Sequence, residues 1–182
     1  PAVPSPSDAI RPSVGGMFPP VRRAASGRDD ERGRPGSLEQ LVRQIGGNRL
    51  RDGETVHLYL DVSGSVEPFL DPLFAAVRGV AHLVCPDVHL FSTGVVDAPA
   101  REPAKGACQP TGGTSIGPVA RHIREKRGRR AVIVTDGEVG GIGAKDRETL
   151  GQMILGVALT SDRERNGDLA RLARHVVVLP GP

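Results

Sequence analysis

Aromatic side chains are scarce in this sequence: Phe, Trp and Tyr make up 3% of its 182 residues, and Trp is absent. A folded core must therefore be aliphatic, and the aromatic platforms on which single-stranded nucleic acids stack are not evident. The two cysteines, Cys85 and Cys108, are too few for a disulfide framework. No apolar run approaches the roughly 18–20 residues of a membrane span, and no signal-peptide pattern is present. These absences predict a cytoplasmic protein without a membrane partner.

The composition that is present divides the chain into two parts. Residues 1–36 are rich in Pro, Ser, Gly and Arg and show no apolar period, which predicts a tail or linker. Residues 37–182 are long enough for one α/β domain. The net charge is +3. We expect this domain to be part of a larger multidomain bacterial-type protein or complex.

Apolar periodicity predicts strands that alternate with helices, and this alternation is typical of a parallel sheet covered on both faces. The predicted fold is α/β, with a Rossmann-like, doubly wound, mostly parallel sheet and one antiparallel edge strand. Strands are expected at 55–60, 88–91, 95–96, 131–134, 153–159 and 175–179. Helices are expected at 37–45, 68–84, 115–126 and 163–174, with one or two helical turns at 146–152 and a long loop at 97–113.

Oxygen-bearing side chains follow the first and fourth of these strands. Asp61, Ser63 and Ser65 occupy alternate positions where the first strand ends, so their side chains point the same way on an extended backbone. Thr114 precedes a predicted helix, and Asp136 follows an unbroken apolar strand. Ligands bind beyond the carboxyl ends of the strands in such sheets. Because hard oxygen donors suit Mg²⁺, the five side chains predict a metal site.

Three segments in this order resemble the von Willebrand factor A (VWA) family: Asp61-Val62-Ser63-Gly64-Ser65, Gly112-Gly113-Thr114 and Thr135-Asp136-Gly137. The resemblance covers about residues 55–179 and implies a metal-ion-dependent adhesion site (MIDAS). It implies that Ser63, Ser65 and Thr114 are ligands of Mg²⁺, or of Mn²⁺ or Ca²⁺, and that Asp61 and Asp136 act directly or through water. An Asp or Glu of a protein partner would complete the metal shell. The partner implied is an AAA-type ATPase or another domain of the same polypeptide.

The function expected from these features is that of a binding module without enzymatic activity. One alternative is a phosphotransferase like the haloacid dehalogenases, but such enzymes need a second Asp at the position of Ser63. The other is RNA binding of the Ro-like type. A basic run favours it, although such runs are usually solvated helix faces; it comprises Arg121, Arg124, Lys126, Arg127, Arg129 and Arg130.

Purely structural roles are open for the same residues. Ser65 and Thr114 would each serve as a helix N-cap, Asp136 would be a turn residue before Gly137, and Thr111 is a lesser candidate for the role of Thr114. The five histidines show no zinc-helix spacing and are interpreted as structural or surface residues; they are His57, His82, His89, His122 and His175.

Overall fold

One six-stranded sheet organises the part of the chain that the computed structural model describes, namely residues 36–47, 54–102, 113–161, 163–164 and 167–180. Its strands are, in chain order, β1 (Val56–Asp61), β2 (Asp87–Phe91), β3 (Val95–Pro99), β4 (Arg130–Thr135), β5 (Ile154–Leu159) and β6 (His175–Val178). They lie in the order β3-β2-β1-β4-β5-β6. All pairings are parallel except that of β2 with the edge strand β3. The predicted Rossmann-like sheet with one antiparallel edge strand is confirmed.

Helices cover both faces of this sheet. The described ranges contain α1 (Leu38–Gly46), α2 (Leu70–Val80), α3 (Gly117–Lys126), α4 (Ala144–Gly151) and α5 (Asp168–Leu172). Helices α1 and α2 share one aliphatic core with the sheet, and α3, α4 and α5 share the core on the other face. None of these helices has the length and apolarity needed to cross a bilayer.

Helix α1 begins and packs as its sequence dictates. The Ser37 side chain accepts a hydrogen bond from the backbone N–H of Gln40 at 3.1 Å, which caps the helix start. The buried face of α1 then lies very close to β5, because a β-carbon at Gly156 would lie 2.7 Å from Ile45 Cγ1. The glycine in the middle of a strand, which weakens the strand by itself, is what allows this close approach.

Several elements differ in their bounds from the prediction, among them α2, α3, α5 and β3. Helix α2 begins at Leu70 after a 3₁₀ turn at Glu67–Phe69 and ends at Val80, before a turn closed by the 2.8 Å bond from Leu83 N to Val80 O. Helix α3 begins at Gly117, and α5 is confined to Asp168–Leu172 with Gly167 at its N-cap. Strand β3 runs to Pro99, because the β2–β3 register continues to the Asp87–Pro99 pair. The residues at 97–99 therefore form a strand, and the predicted loop starts later.

Several predicted features lie outside the described residues. They are the tail up to residue 35, Cys108, Thr111 and Gly112. The last residue of the predicted tail, Gly36, is described, and its N–H donates to the carbonyl of Val178 in β6 at 3.2 Å.

The connectivity places a crevice at β1 and β4. From β1 the chain moves to β2 and β3 on one side, and it then returns to β4, β5 and β6 on the other. The strand order thus reverses between β1 and β4, and open α/β sheets bind ligands beyond the carboxyl ends of strands at such a reversal. Asp61 ends β1 and Thr135 ends β4, so the predicted motifs lie at this point.

Candidate functional site

The loop after β1 gathers three of the predicted oxygen donors. Asp61 is fully buried, and its Oδ1 accepts a 2.9 Å hydrogen bond from the backbone N–H of Ser63. The hydroxyls of Ser63 and Ser65 lie 3.2 Å apart, the first buried and the second exposed. The side chains therefore form a short row that runs from the sheet interior to solvent.

Thr135 connects this row to the predicted donor on β4. Its hydroxyl donates to Asp61 Oδ2 at 2.7 Å and lies 3.5 Å from Asp136 Oδ1. The same hydroxyl accepts from the N–H of Gly137 at 3.1 Å. The carboxylates of Asp61 and Asp136 are thus separated by one hydroxyl group. Sequence reasoning did not name Thr135 as a site residue, although it stands directly before Asp136 in the third segment.

Thr114 lies in the segment that precedes α3, which comes in chain order between the loop after β1 and the loop after β4. Backbone atoms make the contacts that locate it. Its neighbour Ser115 donates its N–H to the carbonyl of Ser92, directly after β2, at 2.9 Å. A β-carbon at Gly140, in the loop after β4, would lie 3.5 Å from the carbonyl oxygen of Thr114. The Thr114 backbone therefore lies near the loops that follow β2 and β4, the two strands that flank β1, and its side chain is half-buried.

We call Asp61, Ser63, Ser65, Thr114 and Asp136 the oxygen-donor site. Burial raises the pKa of Asp61; the hydrogen bonds from Ser63 and Thr135 act against this rise, and the charge of Asp136 adds to it. Two carboxylates that share one hydroxyl in a buried crevice repel each other, and a cation between them would relieve both the burial and the repulsion.

The donor set fits Mg²⁺ or Mn²⁺ better than a softer metal. All five side chains offer oxygen, which is the ligand atom that hard cations prefer. Neighbouring ligands in an octahedral magnesium shell are separated by about 2.9 Å, and the two serine hydroxyls at 3.2 Å come close to that spacing. Ser63 and Ser65, with the carboxylates behind them, would hold the ion, which would supply a positive charge for an incoming acidic group.

The capping alternatives receive partial support. The N-cap of the 3₁₀ turn is Val66 and that of α3 is Ile116, neither with a side-chain cap, so Ser65 and Thr114 do not cap these helices. Asp136 does act as a turn residue, because its Oδ1 accepts from the N–H of Glu138 at 3.0 Å. A turn role and a metal role are compatible, since a carboxylate has two oxygens.

A second group of polar side chains lies on the α3 face of the sheet, and sequence reasoning missed it. We call His57, His89, Asp97 and His122 the histidine cluster. His89 Nδ1 lies 2.7 Å from Asp97 Oδ1, and His122 Nε2 lies 3.3 Å from the same oxygen. His57 Nδ1 lies 3.0 Å from His89 Nε2. The interpretation of these histidines as unrelated structural or surface residues is therefore incomplete.

The environment of the cluster favours neutral imidazoles. Burial lowers the pKa of His89 to about 4, against the opposing effect of its hydrogen bond with Asp97. Burial also lowers the pKa of His57 and of His122. Burial would raise the pKa of Asp97, but hydrogen bonds from Lys126 and His89 outweigh it and bring that pKa to about 2. At neutral pH the cluster therefore presents uncharged ring nitrogens beside one carboxylate.

Part of this cluster can be read from the hairpin register. Phe91 pairs with Val95 across a three-residue connection, so His89 must pair with Asp97. The predicted hairpin of the second and third strands therefore already implies the His89–Asp97 pair. The position of His122 depends on how α3 packs on the sheet, which no local pattern reveals.

Comparison with models of known protein families matches none of them to this chain, and no curated protein matches it either. The function must therefore be argued from the two groups of side chains.

Proposed function

We propose that this chain is a VWA-like binding module whose oxygen-donor site holds Mg²⁺ or Mn²⁺ and binds an Asp or Glu of a protein partner. The observation that supports the proposal most is the chain of contacts from Ser65 through Ser63 to Asp61, and from Asp61 through Thr135 to Asp136. These contacts join the segment around Asp61 to the segment around Asp136, at the carboxyl ends of β1 and β4. Thr114, from the second segment, would join them from its own loop, whose backbone lies near Gly140 in the loop after β4.

The arrangement suits binding rather than catalysis. Ser63 occupies the position at which a dehalogenase-like phosphotransferase carries its second acidic residue, and a serine does not replace that acid–base group. Hydroxyl ligands are neutral, so a cation held partly by them keeps much of its charge and attracts an external carboxylate. Ser65 is exposed, which leaves the outer end of the row accessible to a partner.

RNA binding is the weaker alternative, because the basic run is partly used within the protein. Lys126 contacts Asp97 at 2.8 Å, Arg124 contacts Asp146 at 3.4 Å, and Arg130 contacts Glu54 at 3.3 Å. Three of the six cations are thus paired with carboxylates. An affinity for RNA that falls steeply with salt would favour this alternative.

Manganese binding tests the proposal directly. Mn²⁺ is titrated into chelator-treated chain and followed by electron paramagnetic resonance, which distinguishes free from bound ion. We expect one saturable site that Asp61→Ala weakens at least about 100-fold, because a carboxylate of the shell is lost. The matched control is Asp87→Asn, an exposed aspartate at the amino end of β2. Equal Mn²⁺ affinity in the wild type and Asp61→Ala would contradict the proposal.

Acetate then tests the open position of the shell. If a partner carboxylate completes the coordination, acetate should displace water from the bound Mn²⁺ and lower its effect on water proton relaxation. The Asp87→Asn control should respond like the wild type. A bound Mn²⁺ whose relaxation effect does not change at any acetate concentration would leave a metal site but contradict the adhesion function.

A further inference from the structure

We propose that His89, Asp97 and His122 form a second metal site, specific for a divalent transition metal of the zinc class. Each of the three residues offers one ligand atom, and these atoms all lie within 4.8 Å of one another; His89 Nδ1 and His122 Nε2 both approach Asp97 Oδ1. Two of the separations are 2.7 and 3.3 Å. Ligands of tetrahedral zinc are separated by about 3.3 Å, so small side-chain rotations bring the three atoms onto one ion.

The second polar atom of each ligand residue, which faces away from the proposed ion, already has a hydrogen-bond partner. His122 Nδ1 lies 3.0 Å from the hydroxyl of Tyr59, and His89 Nε2 lies 3.0 Å from His57 Nδ1. Asp97 Oδ2 accepts a 2.8 Å bond from Lys126. Metal-binding histidines almost always use the second ring nitrogen in a hydrogen bond that fixes the ring orientation. Here both ring nitrogens that face away from the site have such a partner.

The donor types select the metal. Two imidazole nitrogens and one carboxylate suit Zn²⁺, Co²⁺ and similar ions, whereas Mg²⁺ prefers a shell of oxygens. Neutral imidazole is the form in which histidine binds metals. The Asp97 carboxylate supplies one negative charge, which offsets part of the charge of the ion.

Exposure leaves a fourth position open. The side chain of His89 is 3% exposed, that of His122 14% and that of Asp97 35%. The site is therefore closed towards the sheet and open beyond the edge strand, where a water molecule or a partner's side chain would complete four ligands. The ligands come from β2, β3 and α3, so an ion would clamp the edge hairpin to the helix.

The second site differs from the oxygen-donor site in place and chemistry. His89 stands two residues before Phe91, which is paired with Asp61 in the register of β1 and β2. Phe91 and Tyr59 are both fully buried in the core on the α3 face of the sheet, and the two groups have no residue in common. A variant can therefore lose zinc binding and keep manganese binding, or the reverse.

Zinc affinity tests the inference. Zn²⁺ is added to chelator-treated chain in competition with a chromophoric chelator, and Co²⁺ is used in parallel for its visible absorption. We expect one equivalent of tightly bound Zn²⁺, a cobalt spectrum of a low-coordinate site, and a higher thermal unfolding midpoint with Zn²⁺. His122→Ala and Asp97→Asn should each lower zinc affinity at least about tenfold.

Controls separate this site from other zinc ligands. His82→Ala removes an exposed histidine outside the cluster and should leave zinc affinity unchanged. Circular dichroism establishes that each variant is folded, and Asp97→Asn, on the edge strand, is the variant least prone to unfold the chain. The inference is overturned if the wild type binds no zinc. It is equally overturned if both ligand variants keep wild-type affinity.

Discussion

The two groups of polar side chains in this protein are assembled in different ways. The oxygen-donor site comes from three loops, and each loop carries its residues in a short segment of sequence. The histidine cluster comes from three strands, β1, β2 and β3, and from helix α3, one residue at a time. The first group can be recognised as a motif, whereas the second exists only once the strands are in register and α3 is packed.

The carboxylates of the two groups also differ in burial and in the charges around them. Asp61 is a buried carboxylate whose pKa is raised, because burial outweighs its hydrogen bonds. Asp97 is one-third exposed, and its partners Lys126 and His89 bring its pKa to about 2. The carboxylate of the oxygen-donor site therefore lacks compensating charge, while that of the histidine cluster already has it. We expect the first site to depend on a cation more strongly than the second.

Among the variants that distinguish the two groups, removal of the Thr135 hydroxyl should have the largest effect on stability and Mn²⁺ affinity. Thr135→Val keeps the shape of the side chain but leaves Asp61 Oδ2 without its 2.7 Å donor. A buried acceptor left unsatisfied costs about 1–3 kcal/mol, so the free energy of unfolding should fall by that amount in metal-free chain. Mn²⁺ affinity should fall as well, and zinc affinity should not.

Urea unfolding with and without Mn²⁺ measures this effect. Thr149→Val serves as the control for Mn²⁺ affinity, since Thr149 is a half-buried threonine of α4, a helix that carries none of the predicted oxygen donors. Unchanged stability and unchanged Mn²⁺ affinity in Thr135→Val would show that the hydroxyl does not support Asp61.

A substitution at Gly128 should damage the histidine cluster alone. A β-carbon there would lie 2.7 Å from Cδ2 and 3.1 Å from Nε2 of His57, so Gly128→Ala must displace the imidazole that orients His89. Overpacking of this kind costs about 1–3 kcal/mol, and loss of a supporting hydrogen bond lowers metal affinity about 10–100-fold. Zinc competition and urea unfolding measure the two effects.

Gly79→Ala is the matched control, because a β-carbon at Gly79 meets nothing within 4 Å and both glycines have negative φ. If Gly128→Ala bound zinc as the control does, His57 would have no part in orienting His89.

The phenol of Tyr59 should have a smaller effect confined to zinc. Tyr59→Phe keeps the fully buried ring and removes the hydroxyl 3.0 Å from His122 Nδ1. Loss of this support should lower zinc affinity about tenfold, while Mn²⁺ affinity stays at the wild-type value. A parallel loss of both affinities would show that the ring, and not the hydroxyl, has been disturbed.

The sequence predicts the fold well because the information for it is local. Apolar periodicity marks every strand of the sheet, and Ser37 marks the start of α1. The boundaries of α2, α3 and α5 were misplaced, since a 3₁₀ turn and Gly167 shorten helices in ways that periodicity does not register.

The oxygen-donor site was predicted from alternate positions at a strand end, and the structure links four of its five residues through hydroxyl contacts and the backbone N–H of Ser63. The histidine cluster was not predicted, because His57 and His122 are 65 positions apart in the printed sequence. Only the His89–Asp97 pair follows from a local feature, the hairpin. Tertiary packing of α3 supplies the rest.

The smallest expected effect is that of one ion on the other. The two groups are connected through β1 and β2, where Tyr59 pairs with His89 and Asp61 with Phe91. Two cations at these sites repel each other, but carboxylates neutralise part of each charge and salt screens the remainder over about 8–10 Å. Saturation with Zn²⁺ should therefore weaken Mn²⁺ binding only about twofold at low salt, and less at physiological salt.

Mn²⁺ titrations at two ionic strengths, with and without Zn²⁺, measure this difference. Tighter Mn²⁺ binding in the presence of Zn²⁺ would mean that the clamp on α3 also positions Thr114, just before that helix, and that the two regions act as one site.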